Sequence, residues 1–204
     1  MIDESETLFS RWKLTEEELS GIVDLNPSLM GMMLGYVAEY KLQQFLRANE
    51  SVLSLIKPDD HDRRKGKKND LSLEYKDRLF TFEVKSLQTN SIHYDHPMST
   101  YTGRVQVDAS DRRSVTFPNG SSIDTTCLLI GGFDILAVNL FQFRKEWDFG
   151  FIRNSDLPRT KYRKYTNYQR KHLLATTIQV TWPLSPPFVE SPFDLMDSII
   201  SVSN

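Results

Sequence analysis

A chain of 204 residues with 39% apolar and 25% charged side chains can bury one ordinary core, and a net charge of -2 singles out no class of partner. Cys127 is the only cysteine, which excludes an intrachain disulfide and suits a reducing compartment. The acidic start MIDESETLFS has no apolar leader region, and no stretch approaches the roughly twenty apolar residues of a membrane span, so a soluble cytoplasmic protein is expected.

In chain order, Leu8 to Asp24 predicts a short helical lead-in, with TEEEL supplying a threonine cap and an acidic first turn. A second helix is predicted from Asn26 as N-cap and Pro27 as first residue, with Met30, Met33, Leu34, Val37, Ala38, Leu42 and Phe45 as its apolar stripe and Glu39 at the edge. SVLSLIK reads as a strand, and KPDDHDRRKGKK as an exposed, largely basic loop. The hairpin NDLSLEYKDRLFTFEVKS comes next, turning at Lys76-Asp77-Arg78. Leu87 to Gly103 shows no period and reads as a long loop that orders with a ligand. Beyond it, RVQVDAS alternates, SVTFPNGSSI places an Asn-Gly turn between short strands, and TCLLIGGFDILAVNLFQF is apolar enough for central strands. RTKYRKYTNYQRKH is basic and aromatic, ATTIQVTW is a strand, WPLSPPF a surface wrap, and FDLMDSIIS a short amphipathic helix.

These elements predict a single α/β domain with a mixed central β-sheet flanked by helices. Residues 1–25 form the lead-in, 26–142 the core with the hairpin, and 143–204 the basic and aromatic segment, a strand and the proline-rich tail.

The hairpin carries chemistry. Leu71, Leu73 and Tyr75 alternate on its first strand and Phe80, Phe82 and Val84 on its second, so the opposite face carries Asp70 on one side and Glu83 and Lys85 on the other. Two close carboxylates repel each other and suit a divalent cation, because Mg²⁺ takes one or two protein carboxylates plus water and phosphate oxygens. A lysine about 7 Å along the strand can orient an attacking water or stabilise charge on a phosphate.

Asp70, the hairpin and then Glu83-Val84-Lys85 resemble the PD-(D/E)XK nuclease superfamily, which includes type II restriction endonucleases, with Asn69 standing where the signature proline would be. The resemblance implies a restriction-endonuclease-like core and a Mg²⁺-dependent DNA endonuclease, with Mn²⁺ as a substitute ion. It implies Asp70 and Glu83 as metal ligands, Lys85 as the catalytic lysine, Glu39 in AEYKLQQF as an additional acid near the metal, and Gln106 as the glutamine some branches place after the motif. DNA as substrate, a homodimer, and a cognate DNA methyltransferase acting on the same sites follow from the same resemblance. One departure is visible: the superfamily core carries a helix after the EVK strand, and no helix is predicted between Leu87 and Asp134.

Three basic segments suit phosphates: Arg63, Arg64, Lys67 and Lys68; Arg112 and Arg113; and Lys161, Arg163 and Lys164, with tyrosines placed to stack on bases. Asp108 and Asp111 either belong to the site or pair with Arg112 and Arg113, with pairing the favoured reading. Three alternatives stay open: a repair or junction-resolving nuclease of the same superfamily, a non-catalytic DNA-binding protein with this fold, and a structural or interaction protein whose charged hairpin face docks a partner.

Overall fold

The computed structural model describes residues 7–58 and 69–203; the predicted lead-in is two helices, parted at Lys13 (φ +53°), and the predicted threonine cap is Thr15 of the second. Helix α1 covers Leu8–Trp12 and α2 covers Glu16–Leu25. The Thr15 hydroxyl accepts from the Glu18 N–H at 3.1 Å and the Glu18 carboxylate accepts from the Thr15 N–H at 2.8 Å, so two orphan donors are satisfied reciprocally. Helix α3 runs Pro27–Arg47 with Pro27 first, where a missing N–H costs nothing. Asn26 does not spend its side chain on α3: its Nδ2 donates to Ile22 O of α2 at 2.7 Å. The chain forms two units, Met1–Val37 and Ala38–Asn204, divided within α3. Among the described residues no helix is long and apolar enough to cross a membrane.

The second unit is a mixed α/β structure around a five-stranded sheet. Its strands are β1 (Val52–Ile56), β2 (Leu71–Tyr75), β3 (Arg78–Ser86), β8 (Ile135–Asn139) and β9 (Phe149–Arg153), in that spatial order. All neighbours are antiparallel except β3 and β8, which run parallel. A parallel pair needs a long crossover. Here it contains a 3₁₀ turn at Thr89–Ser91 and four strands, β4 (His93–Asp95), β5 (Thr100–Gln106), β6 (Asp108–Thr116) and β7 (Ser122–Cys127), with no α-helix. The stretch after Leu87 is therefore not a bare loop, because His93, Tyr94 and Asp95 pair with Thr102, Tyr101 and Thr100 of β5 as a hairpin. Strand β10 (Thr177–Trp182) completes a small sheet ordered β10-β5-β4, and β6-β7 is a separate ribbon around the predicted Asn-Gly turn, with Gly120 at φ +82°. Two short helices, α4 (Phe141–Arg144) and α5 (Asn167–His172), stand on either side of β9 in the chain, and α6 (Pro192–Ser203) follows β10.

Period-two alternation divides the core between the two faces of the large sheet. Ile135, Ala137 and Phe151 join the hairpin's Leu71, Leu73, Phe80 and Phe82 on one face, where Ala38, Leu42 and Leu46 of α3 and Met196 of α6 pack. Leu136, Val138 and Ile152 point the other way, onto Val105 and Val180 of the small sheet and onto Val107 just after β5. Helices flank the central sheet as expected, but strands cover much of its second face. The stripe of α3 also differs from expectation: Ala38, Leu42 and Leu46 are its buried positions, while Phe45 is 42% exposed and stacks on Phe151 and Phe193. Strand β9, FGFIR, is too short and lacks the alternation that would announce it.

The hairpin turns on two residues, Lys76 and Asp77, at φ +49° and +62°. Both lie in the left-handed region that a type I′ turn demands and that glycine or asparagine adopts most easily. Lys76 is held there by an ion pair to Asp197 at 2.7 Å, whereas Asp77 is exposed. Asp77→Gly should raise stability by about 1 kcal/mol and Asp77→Val should lower it, read as the midpoint of urea unfolding. Equal midpoints for the two variants would mean that the turn is not strained.

Candidate active site

The register Leu71↔Phe82, Ser72↔Thr81 and Leu73↔Phe80 sets Asp70 opposite Glu83. Asp70 N–H donates to Phe82 O at 3.1 Å, and its Oδ2 accepts from the Val84 N–H at 2.7 Å, so this carboxylate ends the ladder against the strand that bears Glu83 and Lys85. Leu71, Leu73, Tyr75, Phe80, Phe82 and Val84 are all buried, and Asp70, Glu83 and Lys85 belong to the opposite parity. Lys85 Nζ lies 2.7 Å from Glu83 Oε1, with the two side chains only 24% and 13% exposed. This is not a solvated face. Glu83 and Lys85 sit level with Leu136 and Val138 of β8, on the side where the small sheet packs.

Burial, then the charge of Asp70, raises the pKa of Glu83 above the ordinary carboxyl value, against the opposing pull of Lys85 and of Arg113. For Lys85, burial acts to lower the pKa, but Glu83, Asp70 and Asp108 together raise it above the ordinary amine value. Lys85 is therefore firmly protonated at neutral pH. The sequence pairs Asp108 and Asp111 with Arg112 and Arg113, and the structure does not. Among the described residues no ion pair joins Asp108 or Asp111 to either arginine, and Asp108 acts on Lys85 instead. A place in the site for Asp108 is the other reading the sequence allows, and what decides it is the long-range bridge Leu87↔Val105, which lays β5 and the start of β6 beside the end of β3.

Glu39 pairs with Lys57 at 2.7 Å, with side chains 17% and 31% exposed. Lys57 follows β1, and continuing the register Ile56↔Ser72 brings it level with Leu71, next to Asp70. Glu39 is thus directed to the same end of the sheet, held by a lysine that sequence reasoning did not single out. Among the described residues no three His, Cys, Asp or Glu side chains form a group able to hold a metal, so Glu39 does not join Asp70 and Glu83 in one cluster. Gln106 ends β5 opposite Thr177, in the small sheet, and its Oε1 accepts from Gln88 Nε2 at 3.2 Å. By continuation of the Leu87↔Val105 bridge it lies near Ser86, beside the strand of Lys85 but exposed.

Of the basic segments, Arg63, Arg64, Lys67 and Lys68 lie outside the described residues. Arg112 and Arg113 are exposed on β6. The charge of Arg113 reaches Glu83 and that of Arg112 reaches Tyr165, which stands in the same basic segment as Lys161, Arg163 and Lys164. Two basic segments therefore adjoin, and one of them borders the carboxylates.

No protein-family model matches the chain, and comparison with curated proteins gives no match. Among solved structures, the bacterial homing endonuclease I-Ssp6803I is similar over 68% of this chain and 85% of its own length, at 17% sequence identity and a TM-score of 0.35. A likeness at that score carries no inference about chemistry.

The charge balance at Glu83 can be measured directly. Removing the repelling charge in Asp70→Asn should move the carboxyl titration of Glu83, followed by carbon NMR, to lower pH, and removing the attracting charge in Lys85→Met should move it higher. Because the folded pKa is raised, the native state holds the proton more tightly than the unfolded chain. The contribution of Glu83 to stability is therefore greatest below its unfolded pKa and is lost as pH rises through the folded one. An unmoved midpoint in Asp70→Asn would separate the two carboxylates.

Proposed function

We propose that the protein is a Mg²⁺-dependent DNA endonuclease of restriction-enzyme type, a member of the PD-(D/E)XK superfamily that hydrolyses phosphodiester bonds at Asp70, Glu83 and Lys85. The observation that carries this reading is a half-buried cluster, two carboxylates and a lysine on one side of a hairpin whose other side is the core. Burying a charged group is costly, and sites that accept the cost with raised proton affinities concentrate where charge is used. The order of α3, β1, the hairpin and a strand parallel to β3 supports the same reading.

The donor set fits the ion. Asp70 and Glu83 offer hard carboxylate oxygens, and Glu83 still feels Asp70 despite its lysine, so the pair has room for more positive charge. A bound Mg²⁺ supplies that charge and acidifies a water molecule. Asp70 and Glu83 would hold it, and Glu39, beside Lys57, would supplement the acidic end of the sheet. Lys85, kept protonated by its neighbours, orients the attacking water and stabilises charge on the phosphate rather than removing a proton. Water would attack phosphorus in line, giving up a proton to solvent, as the bond to the leaving oxygen breaks on the opposite side and that oxygen takes up a proton from solvent.

One observation favours a second reading, DNA binding without cleavage: Glu83 and Glu39 each already hold a lysine at 2.7 Å. The readings separate when the protein is incubated with duplex and branched DNA plus Mg²⁺ or Mn²⁺. The endonuclease should cut, Asp70→Ala should abolish cutting while DNA binding persists, and Lys85→Ala should slow turnover by orders of magnitude with binding preserved. A parent that binds DNA and cuts none of it leaves the second reading, and an Asp70→Ala variant as active as the parent moves the active site elsewhere.

A further inference from the structure

Among the described residues outside the carboxylate cluster, four cations line a cleft of about 430 Å³ between the Pro158–Lys161 segment and the end of α5. Arg159, Lys161, Arg170 and Lys171 line it together with Pro158 and Thr160, and no carboxylate does. Among the described residues none of these four cations takes part in an ion pair. In a chain whose net charge is -2, such a grouping runs against the overall balance, and a surface serving only solubility intersperses both signs.

The walls are fixed. Ala175 N–H donates to Pro158 O at 2.8 Å, Thr160 N–H donates to Leu173 O at 3.0 Å, and Arg159 bridges Leu174, so one wall is pinned to two fully buried leucines. The Arg159 guanidinium donates to Leu157 O and to Ser155 O, and Arg170 donates to the Asn167 side chain. Both arginines are thereby oriented before any ligand arrives, while Lys161 and Lys171 have no such tether. Like charges held this close repel each other, and a polyanion relieves the repulsion.

We propose that this cleft binds backbone phosphates of DNA at a second contact, outside the Asp70–Glu83–Lys85 cluster. The inference rests on DNA as the ligand but not on cleavage. A passing strand suits the cleft better than a small free anion, because the Thr160 N–H is committed to Leu173 O and contact falls to the long cationic side chains along the rim. Positive charge also continues onto β6, where Arg113 lies opposite Thr125, whose hydroxyl meets the Tyr165 hydroxyl at 2.7 Å. Tyr162, half exposed and edge-on to Tyr165 at 5.2 Å, offers a ring beside the same path.

The test uses the full chain without divalent metal, so that binding is read apart from cutting, by fluorescence anisotropy of a labelled duplex over a series of chloride concentrations. Lys161→Ala/Lys171→Ala removes two charges and no hydrogen bond described for the fold. Affinity should fall at least tenfold, and the slope of log affinity against log salt should become shallower by about 1.8, as for two lost phosphate contacts. The charge-matched control Arg11→Ala/Arg47→Ala should change both far less, and thermal melts should coincide for all three proteins. Equal losses in the control, or unchanged affinity and slope in the cleft variant of a parent that binds DNA, would overturn the cleft and leave the active-site reading standing. A parent that does not bind DNA overturns both. Displacement of DNA by inorganic phosphate at matched ionic strength, lost in the cleft variant, would assign the cleft to a small anion and also overturn the proposal. DNA binding with no cutting under Mg²⁺ sinks only the catalytic reading.

Discussion

The pairing of Leu71 with Phe82 decides which way every later side chain of the hairpin faces. Because strand side chains alternate with period two, a slip of one residue would carry Leu71, Leu73, Tyr75, Phe80, Phe82 and Val84 out of the core and bring charged groups in. Each such apolar side chain contributes about 1.5–3 kcal/mol when buried, so a slip would forfeit on the order of 10 kcal/mol, as much as the whole stability of an ordinary domain. The core therefore holds Asp70 against Glu83 far more firmly than the two carboxylates repel each other. Geometry at the candidate site is imposed by hydrophobic burial on the far side of the same two strands.

That arrangement leaves an electrostatic demand which the fold answers only in part. Asp70, Glu83 and Asp108 all act on Lys85, and Arg113 acts on Glu83 as well. Asp70 is further engaged by the Val84 N–H. Glu83 has the deepest burial of the ion pair and the raised proton affinity that goes with it. Added positive charge would thus be felt most at Glu83. A lysine and a metal ion are alternative ways of supplying it, which is why the Lys85 pair is compatible with either a resting enzyme or a protein that only binds.

The hairpin is legible in the sequence because its alternation is strict on both strands, and the helix caps are legible because Thr15 and Glu18 stand at the required spacing. The two-residue turn is not, since Lys76 and Asp77 lack the glycine that announces positive φ. Periodicity puts the core face of α3 one position off at Phe45, whose ring finds Phe151 and Phe193 without full burial while Leu46 takes the buried place. The sequence leaves Asp108 between the site and the neighbouring arginines because Lys85 is reached only through pairing of Leu87 with Val105, a contact that local periodicity cannot encode. The cations of the cleft are visible as a run, but the cleft itself depends on Arg159 meeting Leu174.

The strand-built crossover ties these observations together. Parallel β3 and β8 oblige the chain to leave the sheet and return, and here the return is made of strands with no α-helix among them. Here the returning chain alternates: Val105 and Val107 are buried against Leu136 and Val138, while Gln106 is exposed and Asp108 is half-buried. The same strand run therefore closes the core and delivers a carboxylate toward Lys85. It then continues as β6, carrying Arg112 and Arg113 outward between the carboxylates and the basic segment around Tyr165. One excursion of the chain supplies the cover over the site, a third acid beside it and the positive charge leading away from it, so the departure from a helical crossover is itself what gives this site its surroundings.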